Sequence, residues 1–180
     1  IVIIGASNVT LSLPVIWSTL TRSLAEPVRL MVTAGHGRSF GMPSTVLGRT
    51  LPSILECGLW NSLDQLDDAS PIHAVVTDVG NDLLYGVDSK QIASWVNQTT
   101  DRLIEKHSSL VLTGLPIDSL QGLSVRRFDF FRRLLFPQSS LTFQAALSEG
   151  VNLHHRILEQ SELAGITSMT PEKHWYGFDP

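Results

Sequence analysis

Ile1-Val2-Ile3-Ile4-Gly5-Ala6-Ser7-Asn8 opens the chain, and its reading decides the fold. Four consecutive β-branched apolar residues without alternation describe a strand covered on both faces, as in a parallel sheet. Gly5 ends the run. From Asn8 to Leu24, Leu11, Val15, Ile16, Leu20 and Leu24 recur at helical spacing, with Pro14 expected to kink the helix or delay its start. Strand followed by helix is the first half of a βαβ unit, so the rest of the chain is expected to supply more of the same.

It does. Val28 to Thr33 reads as a second strand, followed by a glycine-rich loop from Ala34 to Gly41. Ser44 to Leu66 reads as helical or irregular, broken by Pro52 and Gly58. Ile72 to Val79 is the clearest strand, bounded by Pro71 and Gly80. Ser89 to His107 predicts a helix with Ile92, Val96, Leu103 and Ile104 on its apolar side and Asp88 or Ser89 as its cap. Leu110 to Leu115 is a fourth strand. Ser119 to Leu163 is long and partly helical, broken near Pro137, and a fifth strand is expected at Ile166 to Met169. Strands alternating with helices predict an α/β protein with a central parallel sheet of about five strands.

Composition bounds the function classes. A length of 180 residues, with no internal repeat or dividing linker, predicts a single domain over residues 1–180. Hydrophobic residues make up 43% and charged residues 17%, the latter below the roughly 25% of ordinary soluble domains, which points to a large core. Thirteen Lys and Arg against seventeen Asp and Glu leave a net charge of −4 with no basic run, which argues against nucleic acid as a partner. No apolar stretch approaches the ~20 residues of a membrane span. Cys57 stands alone, so there is no internal disulfide, and no Cys/His cluster suggests zinc. The sequence implies no cofactor, and compartment and oligomeric state stay open. The chain begins without Met and stops at Asp179-Pro180, so both ends read as cut, and a leader peptide stays open too.

In an open parallel sheet, ligands bind outside the carboxyl ends of the strands, which directs attention to three turns. Ser7 lies two residues beyond the first strand, at the start of a helix, where its hydroxyl can face the crevice as a nucleophile or serve as an N-cap. Gly37 sits between His36 and Arg38 in a loop with three glycines, where backbone N–H groups can approach an oxyanion closely. The loop fits neither a P-loop nor a dinucleotide fingerprint. Asn81, in Asp78-Val79-Gly80-Asn81-Asp82, offers a side-chain amide to a developing oxyanion, or an Asx-turn. Asp82 reads as a turn residue or a support for the site.

These three turns, in this order and at strand ends, resemble the sequence blocks of the SGNH (GDSL-like) hydrolase superfamily. Ser7 in Gly5-Ala6-Ser7-Asn8 matches the nucleophile block, Gly37 before Arg38-Ser39 the second block, and Asn81 in Gly80-Asn81-Asp82 the third. The resemblance spans residues 1 to about 85. It implies a three-layer, flavodoxin-like fold and a serine esterase acting on a small-molecule ester. In that chemistry an acyl-enzyme forms on Ser7, and the Ser7 and Gly37 N–H groups with the Asn81 amide hold the oxyanion.

Two departures stand out. The acidic residue usual before the nucleophile is Ala6 here. The fourth block, Asp-x-x-His, is incomplete near the C-terminus. Asp179 would complete it if His lay two residues beyond Pro180, so Asp179 is expected to orient a base outside the chain. His174, preceded by Thr170-Pro171-Glu172-Lys173, is the alternative base. The chain as it stands is accordingly expected to turn over ester poorly. A non-catalytic ligand-binding module on the same fold is the second expectation, and a phosphate-binding flavodoxin-like domain a third.

Other positions carry plainer readings. Arg126, Arg127, Arg132 and Arg133, interleaved with Phe128, Phe130 and Phe131, describe an amphipathic helix with its arginines on the wet side. Asp64, Asp67 and Asp68 read as a solvated turn. His107 suits a helix C-terminus, whereas His154 and His155 read as exposed helix residues. Trp17, Trp60 and Trp95 are expected in the core.

Overall fold

A computed structural model of the chain describes residues 1–66 and 71–172. In chain order the elements are β1 (Val2–Ile4), α1 (Ser7–Ser23), β2 (Met31–Thr33), β3 (Ser44–Val46), β4 (Arg49–Leu51), α2 (Leu59–Asp64) and β5 (His73–Val76). They continue with α3 (Asn81–Leu84), α4 (Ser89–Glu105), β6 (Ser109–Thr113), α5 (Ile117–Gln121), α6 (Val125–Leu135), α7 (Phe143–Leu163) and β7 (Thr167–Met169). The opening strand is fully buried along its length, as its unbroken apolar run requires.

Five strands form one parallel sheet in the order β2-β1-β5-β6-β7. The chain leaves β1 to one side for β2 and later returns to pair β5 on the other side of β1. That reversal is the topological switch point of a flavodoxin-like sheet, and the crevice at such a point is open to a ligand. Ser7 follows β1, Gly37 follows β2 and Asn81 follows β5, so all three predicted turns border it. The core joins Val2, Ile4, Val76 and Leu112 of the strands to Ile92, Val96 and Leu103 of α4 and Leu153 and Ile157 of α7.

Local sequence explains the starts of three helices. Asp88 caps α4 by accepting from Gln91 N at 2.9 Å, Ser124 caps α6, and Thr142 caps α7. Glu149 of α7 also accepts from Ser89 N at 3.0 Å; its hydrogen bonds with Ser89 hold its carboxyl below the usual range.

Four expectations are corrected. The stretch from Ser44 to Leu66 contains an antiparallel hairpin, β3–β4, as well as the short α2; Ser44-Thr45-Val46 and Arg49-Thr50-Leu51 are mostly polar and carry no apolar run to mark them as strands. Pro14 neither delays nor stops α1, which starts at Ser7 and runs through it. The apolar residues of α1 are largely uncovered: Leu11 and Val15 are exposed, and Trp17, expected in the core, is 48% exposed. Ile104 also lies at the surface, whereas Trp60 and Trp95 pack against the core. Asp64 pairs with Lys106 at 2.7 Å, while Asp67 and Asp68 lie outside the described residues. Among the described residues no helix is long and apolar enough to cross a membrane.

Candidate active site

Ser7, Gly37 and Asn81 line one cavity of about 480 Å³. Each arrives there by a different local device.

Ser7 is the first residue of α1, and the helix cap beneath it is unusual. Ala6 occupies the N-cap position and has no side chain that could cap. The missing acceptor comes from Asp78, beyond the end of β5: Oδ2 accepts from Ala6 N at 2.8 Å and Val9 N at 3.3 Å, and Oδ1 accepts from Asn8 Nδ2 at 2.9 Å. One carboxylate therefore holds the residues on both sides of Ser7. It also places negative charge at the positive end of the helix dipole, which is favourable. Asp78 itself has a φ of +57°, a left-handed conformation that Asp and Asn tolerate better than other non-glycine residues. Gly5 is required by close packing, because a Cβ there would stand 2.5 Å from Val9 Cγ2.

Gly37 is required twice over. Its φ is +59°, and a Cβ would lie 2.4 Å from Val46 Cγ2 and 3.0 Å from Tyr85 Oη. Tyr85 Oη donates to Gly37 O at 2.8 Å, so the phenol fixes the peptide plane on the far side of the glycine. Burial pushes the Tyr85 phenol up, which keeps it protonated as a donor. The loop behind Gly37 is clamped by Arg38, whose Nε and Nη1 donate to Pro52 O and Ala34 O, each at 3.2 Å.

Asn81 opens α3 and is half-buried. Its neighbour Asp82 is 0% exposed and ties the third turn to the second. Ser39 Oγ donates to Asp82 Oδ1, and Phe40 N donates to Oδ2 at 3.0 Å. Ser39 Oγ in turn accepts from Gly41 N at 3.3 Å and Met42 N at 3.1 Å. Burial raises the Asp82 carboxyl above its ordinary range, while the Ser39 and Phe40 hydrogen bonds draw it back. A buried carboxylate is stabilised by such partners, and here the partnership fixes the second and third turns to each other.

Among the described residues, His36 is the histidine that lines the cavity with Ser7. His174 and Asp179 lie outside the described residues. His154 departs from its expected exposed role. It is half-buried, and its Nδ1 accepts from Leu115 N at 3.2 Å; desolvation lowers its pKa, helped by His155 and opposed by Asp118. It thereby props the Gly114–Leu115 corner, which forms part of the cavity wall. Arg126 and Arg133 are exposed as expected, but Arg132 is turned inward to Ser139 O and Asp129.

Asp78, Tyr85, Ser39 and His154 are the residues that sequence reasoning did not assign to the support of this cavity. A signal existed for one of them: Ala6 leaves the helix start without an acceptor, and an acid elsewhere must serve.

No family model matches the chain, and no curated protein matches it in sequence. Solved structures match it in three dimensions. One is the psychrotrophic esterase EstA from Pseudoalteromonas sp., in a structure inhibited by monoethylphosphonate. It is 10% identical, with 94% of this chain and 76% of that one covered at a TM-score of 0.55. Another is a carbohydrate acetylesterase family member from Sinorhizobium meliloti, 11% identical over 94% of this chain and 81% of that one, at a TM-score of 0.61. The fold is thus that of the SGNH hydrolases, as the three turns implied.

Proposed function

We propose that the protein is a serine ester hydrolase that works through an acyl-enzyme on Ser7. The observation that carries this reading is the meeting of Ser7, Gly37 and Asn81 on one cavity at the switch point of the sheet. Two of the structures that share the fold are named as esterases, which adds weight to it.

In the proposed reaction, Ser7 Oγ attacks the ester carbonyl carbon and gives its proton to a general base. The base comes from the C-terminal segment, with Asp179 orienting it and His174 the alternative. Charge that develops on the carbonyl oxygen is met by the Ser7 and Gly37 N–H groups and the Asn81 amide, donors already fixed before the reaction begins. The protonated base returns its proton to the departing alcohol. Water, deprotonated by the same base, then cleaves the acyl-enzyme to acid and free Ser7. Asp78, Tyr85 and Asp82 touch none of the reacting atoms in this scheme and act by positioning.

A tagged fluorophosphonate tests the nucleophile directly, because its phosphorus accepts a serine oxygen as an ester carbonyl does. The expected result is one adduct, on the peptide that contains Ser7, absent from Ser7→Ala. In the full-length protein, lack of an adduct together with lack of ester turnover would overturn the hydrolase and leave a ligand-binding module on the same fold.

A further inference from the structure

The cavity is far larger and more apolar than hydrolysis of an acetyl ester requires. We infer that it accommodates the acyl chain of a medium-length fatty acid ester, roughly six to twelve carbons; this rests on the hydrolase reading above. The first reason is size. At about 30 Å³ for a methylene-sized group, an acetyl methyl fills a small fraction of the space, whereas a decanoyl chain occupies more than half of it. The cavity holds about 480 Å³.

The second reason is the wall. Beyond Ser7, Gly37 and Asn81, the described lining is dominated by aliphatic and phenyl side chains, with Leu83, Leu115, Phe128, Phe136 and Ala146 buried among them. The charged residues of the described lining are Asp78 and Arg132. Asp78 is occupied at the start of α1, and Arg132 reaches Ser139 O and Asp129. A sugar ring or an acidic acyl group entering this wall would lose hydration to a surface built mostly of hydrocarbon.

The third reason is continuity with the surface. Leu11, Leu47 and Leu134 line the same cavity and are 69%, 73% and 53% exposed. Exposed leucines and the buried phenyl groups of α6 and its C-cap therefore line the same cavity as Ser7. Leu47 holds a φ of +50° at the β3–β4 turn, a costly place for a leucine that presents its side chain beside the opening.

Two measurements separate this inference from the hydrolase reading. The first is kcat/KM of the full-length protein for p-nitrophenyl esters from acetate to decanoate, in which the alcohol is constant. Burial of each added methylene is expected to raise kcat/KM by roughly two- to fourfold until the chain fills the cavity. The second is decanoate binding to Ser7→Ala by calorimetry, which needs no turnover. Leu120→Trp, at a half-buried lining position, and Ala146→Phe, at a buried one, narrow the cavity from two sides. Each is expected to lower the octanoate-to-acetate ratio at least tenfold and to weaken decanoate binding. Turnover with a flat or falling chain-length series would overturn the acyl pocket and leave the hydrolase intact. Decanoate binding weakened by Leu120→Trp, without turnover in the wild type, would support the pocket while overturning the hydrolase. Absence of both turnover and binding would overturn both.

Discussion

Asp78→Asn isolates the device that holds Ser7. The substitution keeps size and shape, and Asn tolerates the +57° φ of this position as well as Asp does. What changes is hydrogen-bond chemistry. The carboxylate accepts from Ala6 N, Val9 N and Asn8 Nδ2, and an amide has only one oxygen for the three. Turned one way, its N–H₂ group meets the backbone donors at the start of α1; turned the other, it faces Asn8, whose amide must flip to accept from it and whose own donation to residue 78 is lost. Losing a cap costs ~0.5–2 kcal/mol, and a hydrogen bond to a charged group is worth ~1.5–3 kcal/mol. With the overlap between these terms and the oxygen that survives, the expected loss is about 1–3 kcal/mol of stability. Urea denaturation reads it as a lower midpoint at constant slope.

The catalytic effect has a separate signature. Ser7 lies between two residues that Asp78 holds, so on the proposed reading freeing them displaces the hydroxyl while the apolar wall of the cavity stays in place. Misplacement by about an ångström can cost on the order of 10²-fold in rate. The expectation is a 10- to 100-fold drop in kcat with KM little changed. Asp78→Ala is expected to be worse in stability, because it removes every acceptor and puts Ala in a left-handed conformation that Asp and Asn tolerate better. An Asp78→Asn protein with wild-type midpoint and wild-type kcat would refute the positioning role outright.

Three further outcomes follow from the same geometry. Asn81→Ala is expected to lower kcat about 10²–10³-fold if its amide meets the oxyanion; a wild-type rate would remove it from the site. Gly37→Ala combines a left-handed φ with a Cβ 2.4 Å from Val46 Cγ2, for an expected loss of about 2–4 kcal/mol on denaturation. Stability is also expected to depend on His154. Its folded pKa lies below the ordinary 6.5, so as pH falls from 6.5 towards that lower value the unfolded chain takes up a proton before the folded one does. The contribution is complete above 6.5 and is lost on acidification. His154→Asn keeps an acceptor for Leu115 N and removes the titration, so its stability should fall less than the wild type's between pH 7 and 5; parallel curves would refute the assignment.

Much of the fold is local information. The run from Ile1 to Ile4, the strands around Ala74 and Leu112, and the capped helix from Ser89 all declare themselves within one window of sequence. Their periodicity and caps act over a few residues, and burial in the sheet reinforces them. The placement of Ser7, Gly37 and Asn81 at strand ends was legible for the same reason, since each lies just past a recognisable strand. The β3–β4 hairpin was not, because its strands are mostly polar and half-exposed, without the apolar run that marks β1. Trp17 misled in the opposite way: apolar character predicts a preference for burial, but only a packed neighbour supplies the surface that satisfies it.

What the sequence by itself determined is an alternating α/β chain whose chemistry-bearing turns border one crevice. What only tertiary structure decided is how those turns are held and what space they enclose. Asp78 serves Ala6 across 72 residues, Tyr85 serves Gly37 across 48, and His154 serves Leu115 across 39. Such partners are chosen by where the crossovers bring the chain back, not by spacing along it. The cavity has the same origin, for its wall is assembled from α1, β3, α3, α5, α6, α7 and the loops between them, which no single stretch of sequence brings together. Hydrogen bonding and burial act through space, so the residues that position Ser7 could be named only after the sheet had set its neighbours.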